Sequence, residues 1–133
     1  MAELNQRQRA RLEKAERFLR TARQALRDGD YESCVSRGYY AVFHAIHALL
    51  DREESIRSHV ELIRRSVEWN RTYTQLERVG NLTGDDRLES SLRRLHRWRN
   101  DADYAVGLTT RDRAQRALSF SEQFQTAVKE AVA

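Results

Sequence analysis

The chain of 133 residues contains no proline, only five glycines and a single cysteine, Cys34. One cysteine excludes an internal disulfide and a cysteine metal cluster, and it favours a reducing, cytoplasmic setting. No apolar run approaches the roughly 20 residues that a membrane span needs, and the amino terminus is polar rather than signal-like. We therefore expect a soluble protein with no membrane partner, whose helix ends must be found from periodicity and capping residues.

The chain also lacks blocks of one charge. The formal net charge is +4, but 24 basic and 20 acidic residues are interspersed along the chain. This pattern is typical of a solvated surface with many ion pairs rather than of a basic tail. Nearly all the basic residues are arginines, which suit phosphate recognition, although a genomic codon bias gives the same skew. The composition permits nucleic acid as a partner without requiring it.

The segment that dominates the sequence is DYESCVSRGYYAVFHAIHALLD, residues 30–51. On a helix its apolar side chains fill well over half the circumference, so we expect other helices to surround it. The remaining arc carries polar side chains at three- and four-residue steps, which stack on one side: Ser33, Arg37, Tyr40, His44, His47 and Asp51. We predict a ligand site on this polar stripe, formed by Arg37, Tyr40, His44 and His47.

Helical periodicity also predicts the elements on either side. Residues 4–28 form an amphipathic helix that ends at Gly29, and Asp30 caps the next helix, so the first two helices form an antiparallel hairpin. Residues 70–84 lose the periodicity and form the longest connection, with a short helical turn. The other predicted boundary residues are Arg52 at the end of the central helix, Ser55 as N-cap of the third, Asn81 and Gly84 as turn residues, Asp85 or Asp86 as cap of the fourth, and Thr109 with Asp112 as capping box of the last.

No segment alternates with a period of two over a useful length. The sequence therefore predicts one all-α domain over residues 1–133. We expect an antiparallel up-and-down bundle of four long helices plus a short helix.

Arg99 occupies a position of the fourth helix's apolar stripe at which a leucine would be expected. Burying an unpaired guanidinium costs several kcal/mol, so Arg99 needs an anionic partner. His96 and Asp103 lie one turn before and after it on the same face. Two interpretations remain open: an ion pair with Asp103 at a bundle end or dimer interface, and a site for the phosphate of RNA or a nucleotide, in which Arg99 stabilises negative charge.

Histidines on helices are more often structural than catalytic. As metal ligands His44 and His47 are weakly supported, because no further acidic or histidine cluster completes a set. His59 stands alone on the third helix and is interpreted as structural or capping. Glycine-rich phosphate loops, Gly-x-Ser-x-Gly elbows and paired cysteines are absent from the sequence, and we expect neither a metal nor a cofactor.

The central segment GDYESCVSRGYYAVFHAIHALL, residues 29–50, resembles the central helix of small prokaryotic HEPN-domain proteins. There a Gly-Asp-Tyr turn leads into Ser-Arg-x-Tyr-Tyr-Ala-x-Phe-His-Ala. His59 resembles the family's histidine early in the third helix, and RNDADY, residues 99–104, resembles its Arg-x-x-Ala-Asp-Tyr stretch. The resemblance spans residues 18–124 and implies a helical bundle that commonly forms a homodimer, with polar groups of both protomers meeting in a cleft.

The same resemblance implies a toxin paired with a minimal nucleotidyltransferase antitoxin, and RNA cleavage without metal. In such proteins an arginine and a polar residue precede a histidine by roughly four to six residues; the histidine moves a proton while the arginine stabilises the phosphorane. Arg99 and Asn100 match the first two positions. Asp103, Tyr104 and Ala105 fill the positions of the histidine, so the ribonuclease motif is degenerate.

Three hypotheses follow. The chain is a module that binds RNA, a nucleotide or a nucleotidyltransferase partner through a cleft; or it is an active metal-independent ribonuclease with His96 or His44 as proton carrier; or it is a purely structural dimer. Tyr104 is also a candidate for nucleotidylation by the partner. The residues predicted for the cleft are Arg37, Tyr40, His44, Arg99 and Asp103, and those predicted for catalysis are Arg99, Asn100, His96, Asp103 and Tyr104.

Overall fold

The structure, a computed structural model, describes residues 4–51, 56–82 and 87–132. Its α-helices are α1 (Gln6–Arg27), α2 (Tyr31–Leu50), α3 (His59–Tyr73), α4 (Leu88–Tyr104) and α5 (Arg111–Val132), with a 3-10 turn at Gln75–Arg78. These ranges contain no strand, and the predicted all-α fold is confirmed; α3, with 15 residues, is the shortest helix. None of the helices in these ranges is long and apolar enough to cross a lipid bilayer.

The hairpin of α1 and α2 forms where the sequence predicts it. Asp28 ends α1, and Gly29 follows in the left-handed region with φ +77°, which a residue without Cβ adopts at low cost. The Asp30 carboxylate then accepts the Ser33 N–H at 3.2 Å and caps α2. So short a connection places α1 directly against α2.

The starts of the last three helices differ from the prediction. Ser58, rather than Ser55, caps α3, because its hydroxyl accepts the Glu61 N–H at 3.2 Å. Arg87 occupies the N-cap position of α4 and makes no side-chain capping bond. The predicted boundary residues that lie outside the described ranges are Arg52, Ser55, Gly84, Asp85 and Asp86.

Thr110, rather than Thr109, caps α5. Its hydroxyl accepts the Arg113 N–H at 3.1 Å, and its carbonyl accepts the Ala114 N–H at 3.0 Å. The hydroxyl of Thr109 is buried without a hydrogen-bond partner. Two adjacent threonines offer the same capping chemistry, so the register is decided by how α5 packs and not by the local sequence.

Helix α2 contacts each of the other four α-helices, as its wide apolar arc predicts. At Gly38 α2 lies close to α5, because an added Cβ would lie 3.0 Å from the Ser121 hydroxyl oxygen. That hydroxyl donates to the Ala117 carbonyl at 2.7 Å, so the serine is held in place. The close contact at Gly38 therefore fixes the position of α2 against α5.

Candidate functional site

Arg99 lies on α4 with its guanidinium against two consecutive tyrosines of α2. The residue is 7% exposed, and its Cζ stands 5.4 Å from the ring centroid of Tyr39 and 5.6 Å from that of Tyr40. Both distances suit cation–π attraction, which strengthens when the cation is desolvated. We call the side chains gathered here the Arg99 cluster; they are Arg99, Tyr39, Tyr40, His59, His96 and Asp103.

The hydrogen bonds of Arg99 are few and long. Its Nη1 donates to Asp103 Oδ2 at 3.3 Å, and its Nη2 lies 3.5 Å from His96 Nε2. Its Nε is buried and has no hydrogen-bond partner among the residues that the structure describes. A guanidinium carries five N–H donors, and leaving a buried one unsatisfied is costly. The site therefore holds a desolvated cation with spare donor capacity.

Three rings from three helices stack beside the guanidinium. The imidazoles of His59 and His96 are 4.9 Å apart, with 16° between their planes, and His96 also stacks on Tyr39 at 5.3 Å. The Tyr39 hydroxyl lies 2.5 Å from His59 Nδ1. The stack therefore joins α2, α3 and α4 at one point.

Burial and neighbouring charge keep both imidazoles neutral. Burial, followed by His59 and Arg99, lowers the pKa of His96 to about 4. Burial and Arg99 also lower the pKa of His59, and burial raises the pKa of Tyr39. At neutral pH His96 is therefore uncharged, and one of its ring nitrogens carries a lone pair, as a proton acceptor requires.

His96 also reaches solvent through a groove between α3 and α4. The groove has a volume of about 420 Å³, and it is lined by His96, Val60, Ile63, Ser90, Arg93, Arg94 and Arg97. A group that exchanges protons needs such an opening. His96 is thus the histidine of the predicted set that both contacts Arg99 and borders a surface groove.

His44 lies apart from this stack. Its ring stacks on Phe18 of α1 at 5.3 Å with 11° between the planes, and meets Phe43 edge-on at the same distance. Its Nδ1 is buried without a hydrogen-bond partner. Burial, then the charges of Lys14, His47 and Arg11, lowers its pKa to about 4. None of its ring contacts reaches Arg99 or His96.

His47 occupies a structural position. It is 1% exposed, and its Nδ1 bonds the Phe43 carbonyl at 2.9 Å while its Nε2 accepts the Ile56 N–H at 2.9 Å. The second bond fixes the neutral tautomer with the proton on Nδ1. Both nitrogens are occupied within the chain, so neither is left for the ligand that the polar stripe predicts. His47 instead holds the segment before α3 against α2.

The other predicted residues lie at varying distances from the centre. Asp103 contacts Arg99, whereas Asn100 is half-buried on α4 and its side chain forms no hydrogen bond within the described residues. Tyr104, at the end of α4, is 82% exposed. Arg37 is exposed, with its Cζ 5.8 Å from the Phe18 ring centroid.

Two members of the Arg99 cluster were missing from the predicted site. Tyr39 falls on the apolar arc of α2, and nothing in the local sequence distinguishes it from a core ring. His59 appears isolated, because its neighbours Tyr39 and His96 come from other helices. The one available signal for His59 was its place in the family pattern.

Across the described ranges, no group of three or more His, Cys, Asp and Glu side chains is arranged to hold a metal ion. In comparisons with known proteins, the family model of the HEPN domain matches residues 8–131. This range includes the whole Arg99 cluster. A search of curated proteins found no match.

Proposed function

Since the chain belongs to the HEPN domain family, we propose that the Arg99 cluster binds a phosphate of RNA or of a nucleotide. The family supports a nucleotide- or RNA-related role. The observation that carries the proposal is the incomplete pairing of Arg99, whose buried Nε lacks a partner and whose bond to Asp103 is 3.3 Å long.

A phosphate suits this site better than the carboxylate now beside it. Charge-assisted N–H···O bonds are ordinarily about 2.7–2.9 Å long, so the contact with Asp103 is a weak one. The Asp103 side chain is also 30% exposed and can turn towards solvent. A phosphate oxygen pair then accepts from Nε and Nη2 together, in the bidentate geometry that arginine favours. The two tyrosine faces hold the guanidinium plane fixed for it.

One observation favours ribonuclease activity as a second candidate function. His96 Nε2 lies 3.5 Å from Arg99 Nη2 and is neutral at pH 7. His96 accepts the proton of a ribose 2′-hydroxyl, and the 2′-oxygen attacks phosphorus. A 2′,3′-cyclic phosphate forms, and the 5′-oxygen leaves with a proton from solvent while Arg99 stabilises the phosphorane. A pKa of about 4 makes His96 a weak base, so binding ranks before cleavage.

We place the chain in a toxin–antitoxin-like module of the cytoplasm, as a homodimer with a minimal nucleotidyltransferase as its partner protein. HEPN domains commonly dimerise. Two large apolar side chains, Val106 and Leu108, are 99% and 50% exposed in the connection that follows α4. A second copy that covers them buries apolar area next to Asp103 and brings two Arg99 clusters towards one cleft.

The test compares Arg99→Gln with Arg116→Gln. Both remove one arginine, but Arg116 is exposed and pairs with Asp112 on α5. Fluorescence anisotropy with labelled RNA and with a labelled uridine monophosphate should show a loss of about tenfold or more in affinity for Arg99→Gln alone. Circular dichroism verifies that both variants fold. Equal affinities in the two folded variants would contradict a phosphate site at Arg99.

Incubation of labelled RNA with excess chelator separates the two candidate functions. Cleavage by the parent protein and not by Arg99→Gln identifies a metal-independent ribonuclease. Binding without cleavage identifies a binding module. Equal cleavage by both proteins reveals a contaminating nuclease and rules out the catalytic candidate.

A further inference from the structure

A second cationic surface lies between α1 and α2, outside the Arg99 cluster. It is a shallow groove of about 290 Å³ with Phe18 in its wall, and we call it the α1–α2 groove; its lining residues are Lys14, Arg17, Phe18, Thr21 and Arg37. The polar stripe predicted from the sequence included Arg37, but nothing in the stripe pointed to the four residues from α1.

The cations of the α1–α2 groove differ from many other arginines of the described ranges in their pairing with acidic residues. Within the described residues, Lys14, Arg17 and Arg37 form no ion pair. On α3, by contrast, Arg64 and Arg65 both pair with Glu61. Unpaired like charges around one depression create a positive potential that attracts a polyanion. Burial, followed by the charge of Lys14, lowers the pKa of the adjacent His44.

Two aromatic rings connect the α1–α2 groove with the Arg99 cluster. The Arg37 Cζ stands 5.8 Å from the Phe18 centroid, and the Phe18 and Tyr40 centroids are 5.8 Å apart. Tyr40 in turn lies 5.6 Å from the Arg99 Cζ. Two arginines are therefore joined through two aromatic rings, in the order Arg37, Phe18, Tyr40 and Arg99.

We propose that the α1–α2 groove binds the backbone of single-stranded RNA, so that a neighbouring phosphate of the same strand reaches Arg99. This rests on the proposed function at Arg99 and makes the ligand a polymer rather than a mononucleotide. Single-strand sites combine cations that follow the phosphates with rings on which bases stack. An acidic peptide would use the cations but would leave the Phe18 and Tyr40 rings without a role.

The first test removes the three cations of the groove in the variant K14Q/R17Q/R37Q. Its matched control, R64Q/R78Q/R116Q, loses the same charge from exposed arginines that pair with acids elsewhere. Binding of an unstructured RNA of about ten nucleotides, and of uridine monophosphate, is measured by anisotropy across a salt series. The groove variant should lose about tenfold or more in RNA affinity, and its slope of log affinity against log salt should fall by roughly 2. Its affinity for the mononucleotide should match that of the parent protein.

Equal RNA affinities and salt slopes in the groove variant and its control would contradict RNA binding by the α1–α2 groove. This conclusion would hold even if Arg99→Gln bound neither the RNA nor uridine monophosphate. RNA binding that is lost in the groove variant and unchanged in Arg99→Gln would instead overturn the Arg99 site and leave the groove standing. A further arm asks whether a polyglutamate peptide competes with the labelled RNA as effectively as unlabelled RNA does. That result would show that the groove binds acidic peptides and would contradict the assignment to RNA.

Phe18→Leu supplies a second measurement, which does not depend on charge. The substitution keeps an apolar side chain but removes the ring, and base stacking contributes about 1–3 kcal/mol per base. We expect at least a severalfold loss of RNA affinity with an unchanged salt slope. An unchanged affinity would show that the ring takes no part in binding.

Discussion

His59 and His96, which belong to different helices, stack with their ring centroids 4.9 Å apart and their planes 16° from parallel. The Tyr39 hydroxyl fixes one of the pair at Nδ1, and Arg99 lies beside the other. A proton on either ring places a positive charge next to both the second ring and the guanidinium. Burial, together with Arg99, therefore lowers the pKa of both histidines, and His59 adds to the shift at His96.

This relationship predicts how phosphate binding depends on pH. Because the pKa of His96 is lowered to about 4, its charge stays constant from about pH 6 to 8. The ligand for this test is the methyl ester of uridine monophosphate, because a phosphodiester lacks the second ionisation near pH 6, and its affinity should change little between about pH 6 and 8. Below about pH 5 the ring gains a proton beside Arg99, and affinity should rise. Isothermal titration calorimetry tests this, with His96→Gln expected to lose the rise. A rise in affinity with its midpoint near pH 6.5 would contradict the conclusion that His59 and His96 are buried and neutral.

Arg99→Leu should separate stability from function. Replacing a buried, poorly paired charge by an apolar side chain is often neutral or stabilising, and we expect the free energy of unfolding to rise by about 1 kcal/mol. Phosphate binding should be lost at the same time. Urea denaturation and anisotropy measure the two quantities. A loss of about 3 kcal/mol or more would show that Arg99 is a structural ion-pair residue.

His44 and His47, the two histidines of the polar stripe on α2, should differ in how much stability they lose when each is replaced by glutamine. His47→Gln removes the bonds to Phe43 and Ile56 and leaves buried backbone groups unpaired, so it should cost about 1–3 kcal/mol of unfolding free energy. His44→Gln breaks no hydrogen bond at Nδ1 and should cost less. Denaturation of both variants at pH 7.5 makes the comparison. Equal losses would show that the bridge to Ile56 contributes little.

His44 should also contribute to acid sensitivity. Its pKa is about 4 when folded and about 6.5 when unfolded, so between these values the unfolded chain binds more protons. Stability from this group is therefore complete above about pH 6.5 and is lost as the pH falls towards 4. His44→Phe keeps the stack on Phe18 and removes the titration, so its stability relative to the parent should increase at low pH. A difference that does not vary with pH would contradict the assignment.

Tyr104 should be the accessible target if a nucleotidyltransferase partner modifies this chain. Its ring is 82% exposed, whereas Tyr39 is buried at 3%. After co-expression with a nucleotidyltransferase from a neighbouring reading frame, mass spectrometry should find a nucleotide adduct on the peptide that contains Tyr104. Tyr104→Phe is the control and should lose the adduct. A modified protein whose Tyr104 peptide is unmodified would exclude this residue.

Sequence reasoning succeeded where a signal repeats along one helix. The apolar arc of α2 predicted its burial, and the leucine-like position of Arg99 predicted a buried cation that shares a face with His96 and Asp103. These relationships depend only on helical geometry within one element. They required no knowledge of how helices pack against one another.

Sequence reasoning failed where the role of a residue depends on a partner from another helix or segment. His47 sits at the margin of the polar stripe, and only the position of the Ile56 N–H turns it from a surface group into a buried bridge. Tyr39 and His59 acquire their roles from each other across α2 and α3. Helix periodicity carries no information on such contacts, which are decided by packing.

Because Gly38 has no side chain, a substitution at this position affects the Arg99 cluster. Position 38 directly precedes Tyr39 and Tyr40, and its lack of a Cβ lets α2 approach Ser121 of α5. A larger residue there requires α2 or Ser121 to shift by a few tenths of an ångström, and a shift of α2 changes the position of both rings relative to Arg99. The spacing of α2 and α5 at this point thus affects how the two rings hold the guanidinium, so loss of function can arise from a residue that does not contact the ligand.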